Sequence, residues 1–381
     1  EIEARKNTYN VTPLLIAAQN GHIEVVRLLL SKGAEIEANA IDGMTSLWEA
    51  SDKGHTEVVK LLLENNADVD AKQNSSGVTP LWMAAQSSHV AVVKLLLDKG
   101  ADVDAKRKSD GITPLWIASQ NGHIKVVKLL LDKGAKVDAK DRCDGITPLW
   151  IASQNGHLEV VKFLLAKDAE VNIKIKNNGW TPLWIASQNG HTEAVKLLLE
   201  HGADIKAKNT SNGKTALWMA AQNGHLEVVK LLVDHGADVE AKHTSGVTAL
   251  WMAAQNGHLE VVKFLLAKDA EVNIKSKNNG WTPLWIASQN GHTEVVKLLL
   301  DRGAKVNVKK NSSSVTPLMK ASQKCHTKVV KLLLDKGAEI EARENTFNAT
   351  PLFVAAKMGC LNVANLHLDK GAKIEAKQTP W

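Results

Sequence analysis

The sequence predicts a mainly α-helical solenoid of about eleven consecutive helix pairs, and three observations lead to this fold class. A threonine opens a recurring segment every 33 or 34 residues, each unit contains two short stretches with helical features, and a polar glycine-containing stretch follows each pair. A unit of this size cannot enclose a core, so it must bury its apolar face on its neighbours. Residues 1–381 are therefore interpreted as one array. Its repeats begin at Thr12, Thr45, Thr79, Thr113, Thr147, Thr181, Thr215, Thr248, Thr282, Thr316 and Thr350.

The first helix of a unit is predicted by the segment TPLWIASQNGH. It stands at residues 113–123, and the same eleven letters return at 147, 181 and 282. Thr113 is a good N-cap, and Pro114 suits the first turn because its missing N–H costs nothing there. The residues that follow predict a short helix ended by Gly122.

The second helix is predicted by HIKVVKLLLDKG at residues 123–134. Val126, Val127 and Leu130 contribute to a broad apolar face, and Gly134 suits a left-handed stop just past the helix end. The polar stretch AKVDAKDRCDG at 135–145 is too short for another helix and contains a turn glycine. It predicts a projecting finger, either a β-hairpin or a loop.

The recurring motifs Thr-Pro-Leu-x-x-Ala, Gly-His, Val-Val-x-x-Leu-Leu and Gly-Ala-Asp/Glu-x-Asp/Asn resemble those of the ankyrin repeat. The resemblance covers the whole chain. It implies a right-handed stack of helix pairs, in which the fingers and first helices line a concave face that binds partners.

The two ends of the array differ. At 339–352 the sequence nearly repeats residues 1–14, so residues 1–11 are expected to be the tail of a preceding repeat in a longer array. Residues 350–381 are predicted to be a C-terminal capping repeat. His367 stands there at a position that is normally a core leucine, which predicts a more polar outer face.

The composition of the chain predicts its cellular compartment. No run approaches the roughly 18 apolar residues of a membrane span, and the first ten residues do not resemble a signal peptide, so no membrane insertion is expected. Cys143, Cys325 and Cys360 are odd in number and are interpreted as falling at unrelated points of the repeat. They predict neither a disulfide framework nor a metal cluster, and a reducing cytoplasmic or nuclear location fits best.

Catalysis and metal binding are not expected from the sequence. The repeated histidines, among them His123, His157 and His191, recur once per layer and so lie about 8 to 10 Å apart, too far to share a metal. They are interpreted as structural. Phosphate-cradling glycine loops and nucleophile elbows are absent from the sequence. We therefore expect no enzyme activity, no cofactor and no small-molecule substrate.

Lysines form two lines, one along the fingers and one along the second helices. However, 41 Asp and Glu are interleaved with 47 Lys and Arg, and the net charge is only +6. Such mixing dilutes the potential that would hold phosphates. Binding of nucleic acid or another polyanion is thus the least favoured function.

Tryptophans occupy the position that the ankyrin signature gives to histidine. Their spacing of about one layer, 8 to 10 Å, is beyond that of paired rings, so they are not predicted to stack on one another. Each is interpreted as a frame residue that takes over the packing and hydrogen-bond donation of the missing histidine. With Trp48, this tryptophan row comprises Trp82, Trp116, Trp150, Trp184, Trp218, Trp251 and Trp285.

Candidate partner contacts lie at three kinds of position. Trp180 and Trp281 directly precede the threonine cap in NNGWTPL, on the finger's return, where an exposed Trp is suited to be a binding hot spot. From Trp116 onward, a glutamine four residues after each row tryptophan shares its side of the helix, and cations stand at the finger tips. These are Gln120, Gln154, Gln188, Gln222, Gln255 and Gln289, with Arg107, Lys108, Arg142, Lys176 and Lys277.

The predicted function is a non-catalytic scaffold that binds a protein partner through its concave face and finger tips. The alternative is a structural spacer or tether within a larger protein. Uniformity between units is weak evidence for either, because Gln154–Glu193 recurs at Gln255–Glu294 with one change, Ile175 to Ser276, and so reflects duplication.

Overall fold

The computed structural model describes residues 11–309 and 314–374, and within them the chain forms 22 helices in eleven pairs. The predicted tail at 1–11 therefore lies outside the described residues except for Val11, as does the end of the predicted cap from residue 375. The first helices are α1 Pro13–Gln19, α3 Ser46–Lys53, α5 Pro80–Gln86, α7 Pro114–Gln120, α9 Pro148–Asn155, α11 Pro182–Asn189, α13 Ala216–Asn223, α15 Ala249–Asn256, α17 Pro283–Asn290, α19 Pro317–Gln323 and α21 Pro351–Lys357. The second helices are α2 Ile23–Ser31, α4 Thr56–Glu64, α6 Val90–Asp98, α8 Ile124–Asp132, α10 Leu158–Ala166, α12 Thr192–Glu200, α14 Leu226–Asp234, α16 Leu259–Ala267, α18 Thr293–Asp301, α20 Thr327–Asp335 and α22 Leu361–Asp369.

The first helices begin at the predicted threonine caps. Thr113 Oγ1 accepts the backbone N–H of Trp116 at 3.3 Å, which satisfies one of the donors left open at a helix start. The other capping threonines do the same, and Thr248 is the exception. The mainly α-helical fold class predicted from the period and the caps is confirmed.

The second helices bury the predicted apolar face. In α8, Val126, Val127 and Leu130 are fully buried, while Lys125 and Lys128 are exposed. Burial of each such aliphatic side chain contributes about 1.5 to 3 kcal/mol, so this stripe provides much of the core of each layer.

The fingers are loops with a tight turn, because no β-strand occurs among the described residues. In the finger of residues 101–112, the N–H of Arg107 donates to the Ile112 carbonyl at 3.0 Å, and the N–H of Gly111 donates to the Arg107 carbonyl at 2.9 Å. Neighbouring tips are also joined, since the N–H of Lys108 donates to the carbonyl of Ser76 at 2.7 Å. Of the two predicted forms, hairpin or loop, the fingers take the loop.

The array divides into two compact units. The first comprises residues 1–186 and 196–203, and the second comprises residues 187–195 and 204–381, so the residues of α11 and α12 are divided between them. In the first unit, the first helices α1, α3, α5, α7 and α9 pack in sequence on one another. In the second unit, α13, α15, α17, α19 and α21 pack in the same way.

The expectation that the cysteines would be unpaired was wrong, because Cys325 and Cys360 form a disulfide with their Cα atoms 5.2 Å apart. The two positions are related by the repeat. Cys325 occupies the position at which other units have the glycine that precedes the repeated histidine. Cys360, one unit later, occupies the position of the histidine itself. These positions face each other across a layer: a Cβ added to Gly291 would lie 2.7 Å from the imidazole of His326. Cysteines at both positions are therefore placed to bond.

The predicted polar outer face of the last repeat was also wrong at His367, whose side chain is fully buried. Its Nε2 lies 2.8 Å from Ser322 Oγ, and burial lowers the pKa of the imidazole to about 4. The exposed residues of α22 are the apolar Leu361 and Leu368 and the polar Asn362, Asn365 and Asp369. His367 is thus a neutral core residue of the last layer.

Candidate functional site

The tryptophan row joins each first helix to the finger of the next repeat. Trp116 Nε1–H donates to the carbonyl of Ile146, 30 residues later, at 3.1 Å. Bonds of the same kind, 3.0 to 3.3 Å long, are made by Trp48, Trp82, Trp150, Trp251 and Trp285. All eight rings of the row are at most 8% exposed. In these six tryptophans the indole N–H acts as an interlayer donor, and the rings fill space between layers. The buried Nε1 of Trp184 and of Trp218 has no partner among the described residues.

The faces of several row tryptophans are covered by side chains from the fingers. The guanidinium of Arg107 lies 5.1 Å from the centroid of the Trp82 ring, and the ammonium of Lys214 lies 4.4 Å from that of Trp218. Such cation–π contacts contribute about 0.5 to 2 kcal/mol, more when water is excluded. The region between the fingers and the first helices is thus lined by aromatic faces and cations.

Trp180 and Trp281, the preferred contact candidates, stack on the row tryptophan of their own repeat. The ring centroids of Trp180 and Trp184 are 4.2 Å apart with an interplanar angle of 10°, and those of Trp281 and Trp285 are 4.5 Å apart at 7°. Both candidates are half-buried, whereas Trp116 is 5% exposed. Sequence reasoning missed this stacking, although the four-residue spacing in W-T-P-L-W is a signal for it.

The duplicated segments differ in how the backbone before the cap is held. Ser276 Oγ accepts the backbone N–H of Trp281 at 3.0 Å. In the other copy, Ile175 offers no acceptor, and the N–H of Trp180 donates to Asn178 Oδ1 at 3.1 Å. The single change between the copies therefore replaces one acceptor by another and leaves the stacked tryptophan pair in place.

The glutamines predicted as contacts also have a role in the frame. The backbone carbonyl of Gln120 accepts Nε2–H of His157 and Nδ2–H of Asn155, both at 2.8 Å. Since a carbonyl only accepts, the His157 proton must be on Nε2. A Cβ on Gly122, whose φ is +75°, would lie 2.6 Å from Nδ1 of the same ring.

The same His–Gln contact recurs in other layers, with the histidine always one repeat later. Its members are His55 with Gln19, His123 with Gln86, His225 with Gln188, His258 with Gln222, His292 with Gln255, and His326 with Gln289. His191 is half-buried at the equivalent position before α12. The side chains of Gln120, Gln154, Gln188, Gln222, Gln255 and Gln289 are all half-buried. These residues therefore reach the surface only in part.

The cations predicted at the finger tips lie across neighbouring fingers. Lys108 Nζ donates to the Asn74 carbonyl at 2.7 Å, Arg142 Nη1 to the Lys108 carbonyl at 2.9 Å, and Lys176 Nζ to the Arg142 carbonyl at 3.3 Å. Each of these three is nevertheless exposed.

Arg107 and Lys277 complete the predicted set. Arg107 is half-buried, and its Nε donates to Asp110 Oδ2 at 2.9 Å. Lys277 is exposed, and its backbone N–H donates to the Ser245 carbonyl at 2.7 Å. Arg107 is therefore the least accessible of the five cations.

The second-helix side of the array carries ion pairs between layers. Lys133 Nζ lies 2.8 Å from Asp98 Oδ1, and Lys336 Nζ lies 2.8 Å from Asp301 Oδ1. Similar pairs are Lys167 with Asp132, Lys268 with Asp234, and Lys370 with Asp335. All are exposed, so solvent screens them and each contributes little to stability. Part of the lysine charge is thus neutralised locally.

Metal centres and membrane spans were sought in residues 11–309 and 314–374. In these ranges no three His, Cys, Asp or Glu side chains are grouped so that they could hold a metal ion. None of the helices in the same ranges is long and apolar enough to cross a membrane.

Comparison with known families identifies the repeat. The family model described as ankyrin repeats (3 copies) matches overlapping segments that together extend from residue 2 to residue 378. The chain belongs to the ankyrin-repeat family. Ankyrin-repeat arrays are generally protein-binding scaffolds. No curated protein matches the chain. In this ankyrin array, tryptophan occupies the signature histidine position in eight of the repeats.

Proposed function

We propose that this ankyrin array is a non-catalytic scaffold that binds a protein partner through its first-helix face and finger tips. One observation carries the proposal. The tips are held in the same backbone register, since the N–H groups of Lys108, Arg142 and Lys176 each donate to the preceding tip. The side chains of these three residues are exposed, and the tip sequences around them differ: RKSD at 107–110, DRCD at 141–144 and IKNN at 175–178. Variation at the tips therefore changes the chemistry that is presented and leaves the frame intact.

Trp180 and Trp281 are the strongest contact candidates in this proposal. Each places a half-buried indole beside a buried row tryptophan, so a partner can cover its remaining surface without a large loss of side-chain freedom. The exposed cations Lys108, Arg142, Lys176 and Lys277 would surround these rings with a polar rim, and the glutamines would contribute partly exposed amides.

Binding to nucleic acid remains the weaker reading. The ion pairs on the second-helix side and the mixture of 47 Lys and Arg with 41 Asp and Glu reduce the potential available to phosphates. The sequence favoured a cytoplasmic or nuclear location, but the disulfide between Cys325 and Cys360 favours an oxidising compartment instead.

Partner capture with matched variants tests the function. The chain with Trp180→Ala and Trp281→Ala would be compared with a chain carrying Lys162→Glu and Lys263→Glu, exposed positions on α10 and α16 that face away from the fingers. A protein retained by the wild type should be lost with the tryptophan pair and kept with the lysine pair, provided that circular dichroism shows both variants folded.

Three outcomes of the capture experiment would contradict the proposed binding site or function. A partner that is kept by the tryptophan pair would remove these residues from the site, and a chain that retains no protein at all would favour the spacer or tether. Retention that weakens steeply with salt and is competed by polyphosphate would favour the polyanion reading.

A further inference from the structure

The finger of residues 235–247 is one residue shorter than most others, and two buried polar groups beside it have no partner. Helices α13 and α15 have the same sequence, ALWMAAQN. Trp251 of α15 donates its indole N–H to the Trp281 carbonyl at 3.0 Å. Within the described part of the chain, the buried Nε1 of Trp218 in α13 has no acceptor, and the buried Oγ1 of Thr248 has no donor.

The unpaired indole lines a cleft of about 300 Å³ between the fingers and first helices of the second unit. Trp218 is 5% exposed, and Lys214, His243 and Ser245 stand around the same cleft. The volume is at the lower end of the roughly 300 to 1,000 Å³ of small-molecule sites, so the cleft suits one side chain and its backbone.

The charges around the cleft are of one sign. Lys214 Nζ lies 4.4 Å from the Trp218 ring centroid, and no carboxylate pairs with it among residues 11–309 and 314–374. Burial lowers the pKa of Lys214, and burial together with the nearby Lys214 charge lowers the pKa of His243. Neither Asp nor Glu lines the cleft, and its other lining residues do not titrate. A desolvated ammonium without a counter-charge is the condition that a bound anion would relieve.

Neutral donors and an acceptor complete the arrangement. His243 stacks on Trp218 with centroids 5.6 Å apart, and its Nδ1 accepts the N–H of Ser245 at 3.0 Å, which leaves the proton of the neutral ring on Nε2. Asn212 Oδ1, also at the cleft, is buried and accepts no hydrogen bond from the described residues. The unmet groups thus call for a ligand with an anionic oxygen and an N–H, which a peptide residue with a carboxylate provides.

We propose that this cleft receives the carboxylate side chain of an Asp or Glu in a partner polypeptide. The carboxylate meets the Lys214 ammonium and the Trp218 indole N–H, and the adjoining backbone N–H of the partner meets Asn212. One full positive charge beside neutral donors matches a monoanion better than a dianionic phosphate. The proposal rests on the protein-binding function proposed above and assigns one specificity pocket within that surface.

Titration of the full chain with single-residue probes tests the pocket without a known partner. The probes are the N-acetyl N-methylamides of glutamate, glutamine and phosphoserine, and the readout is the indole ¹H–¹⁵N signal of Trp218, assigned with Trp218→Phe. The glutamate probe should shift this signal saturably in the millimolar range. The glutamine probe has nearly the same shape but no charge. It should bind at least about tenfold more weakly, since a hydrogen bond to a charged group is lost.

Matched variants of the chain locate the effect. Lys214→Met should weaken the glutamate probe at least about tenfold, whereas Lys263→Met, which removes the same charge at an exposed position on α16, should not.

The proposal is overturned if the glutamate probe does not shift the Trp218 signal at about 50 mM, or if the glutamine probe binds equally well. Tighter binding of the phosphoserine probe would replace the carboxylate assignment by a phosphate one. None of these outcomes depends on partner capture, so failure of the pocket and failure of the scaffold function are distinguishable.

Discussion

Substitution of the row tryptophans by phenylalanine should have very different effects in two adjacent repeats with the same helix sequence. Trp251→Phe removes the 3.0 Å bond to the Trp281 carbonyl, whereas Trp218→Phe removes an N–H that has no partner among the described residues. Both rings are buried to a similar extent, at 6% and 5% exposed, so the loss of ring volume is nearly matched. The comparison therefore isolates the hydrogen bond.

The expected difference in stability between the two variants follows from the hydrogen bonds of the Trp281 carbonyl. The Trp281 carbonyl keeps a second donor, the N–H of Ser276 at 2.9 Å, so Trp251→Phe loses only the net value of one hydrogen bond, about 1 kcal/mol. Trp218→Phe removes a buried unsatisfied donor, which relieves about 1 to 3 kcal/mol. The destabilisation by Trp251→Phe should exceed that by Trp218→Phe by about 2 to 4 kcal/mol.

Native-state hydrogen exchange is the suitable assay, because a long repeat array need not unfold in one step. The free energy of opening would be taken from the amides of α13 in one variant and of α15 in the other, each relative to the wild type. Equal losses in the two variants, or a larger loss with Trp218→Phe, would refute the assignment of the indole N–H as an interlayer bond.

Three further outcomes are expected. The pKa of His367 falls from about 6.5 unfolded to about 4 folded, so the last repeat should be fully stabilised above pH 6.5 and lose about 3 kcal/mol as the pH falls to 4. Urea unfolding across that range should show the loss, and His367→Leu should remove this pH dependence; a variant that keeps it would contradict the assignment. Thiol titration of the native chain should count one free cysteine, the exposed Cys143, and a count of three would disprove the disulfide. Reduction of the bond between Cys325 and Cys360 should destabilise the last repeat by about 3 to 4 kcal/mol. Gly122→Ala should cost at least about 1 to 2 kcal/mol, because its φ is +75° and the new Cβ meets the next imidazole, and an unchanged melting temperature would argue against this close contact.

The features that depend on the period were predictable from the sequence, and those that depend on contacts between layers were less so. The threonine caps and the apolar face of α8 follow from local chemistry, and the structure has both. The disulfide was missed because Cys325 and Cys360 were compared by their positions within a repeat. They contact each other because glycine and histidine positions of successive repeats face one another.

In the candidate site, too, the local chemistry of a residue was predictable from the sequence, whereas its contacts with the next layer were not. The need of each row tryptophan for an acceptor was predictable from its N–H, but the identity of that acceptor depends on the backbone path of the next finger. For this reason the missing bond of Trp218 could not be read from α13, whose sequence equals that of α15. Whether Trp180 and Trp281 bind a partner stays a prediction.

The hydrogen bonds between layers also bear on how such a chain can grow. Trp116 reaches a residue 30 positions later, and His157 reaches one 37 positions earlier, so these bonds join only adjacent units. Copying a whole number of units therefore keeps such donors and acceptors in adjacent units at the new junctions. The three-unit copy that relates Gln154–Glu193 to Gln255–Glu294 meets this condition. Such a chain can lengthen by whole units, and one-residue changes at a finger tip are then the finest step by which one copy diverges from another.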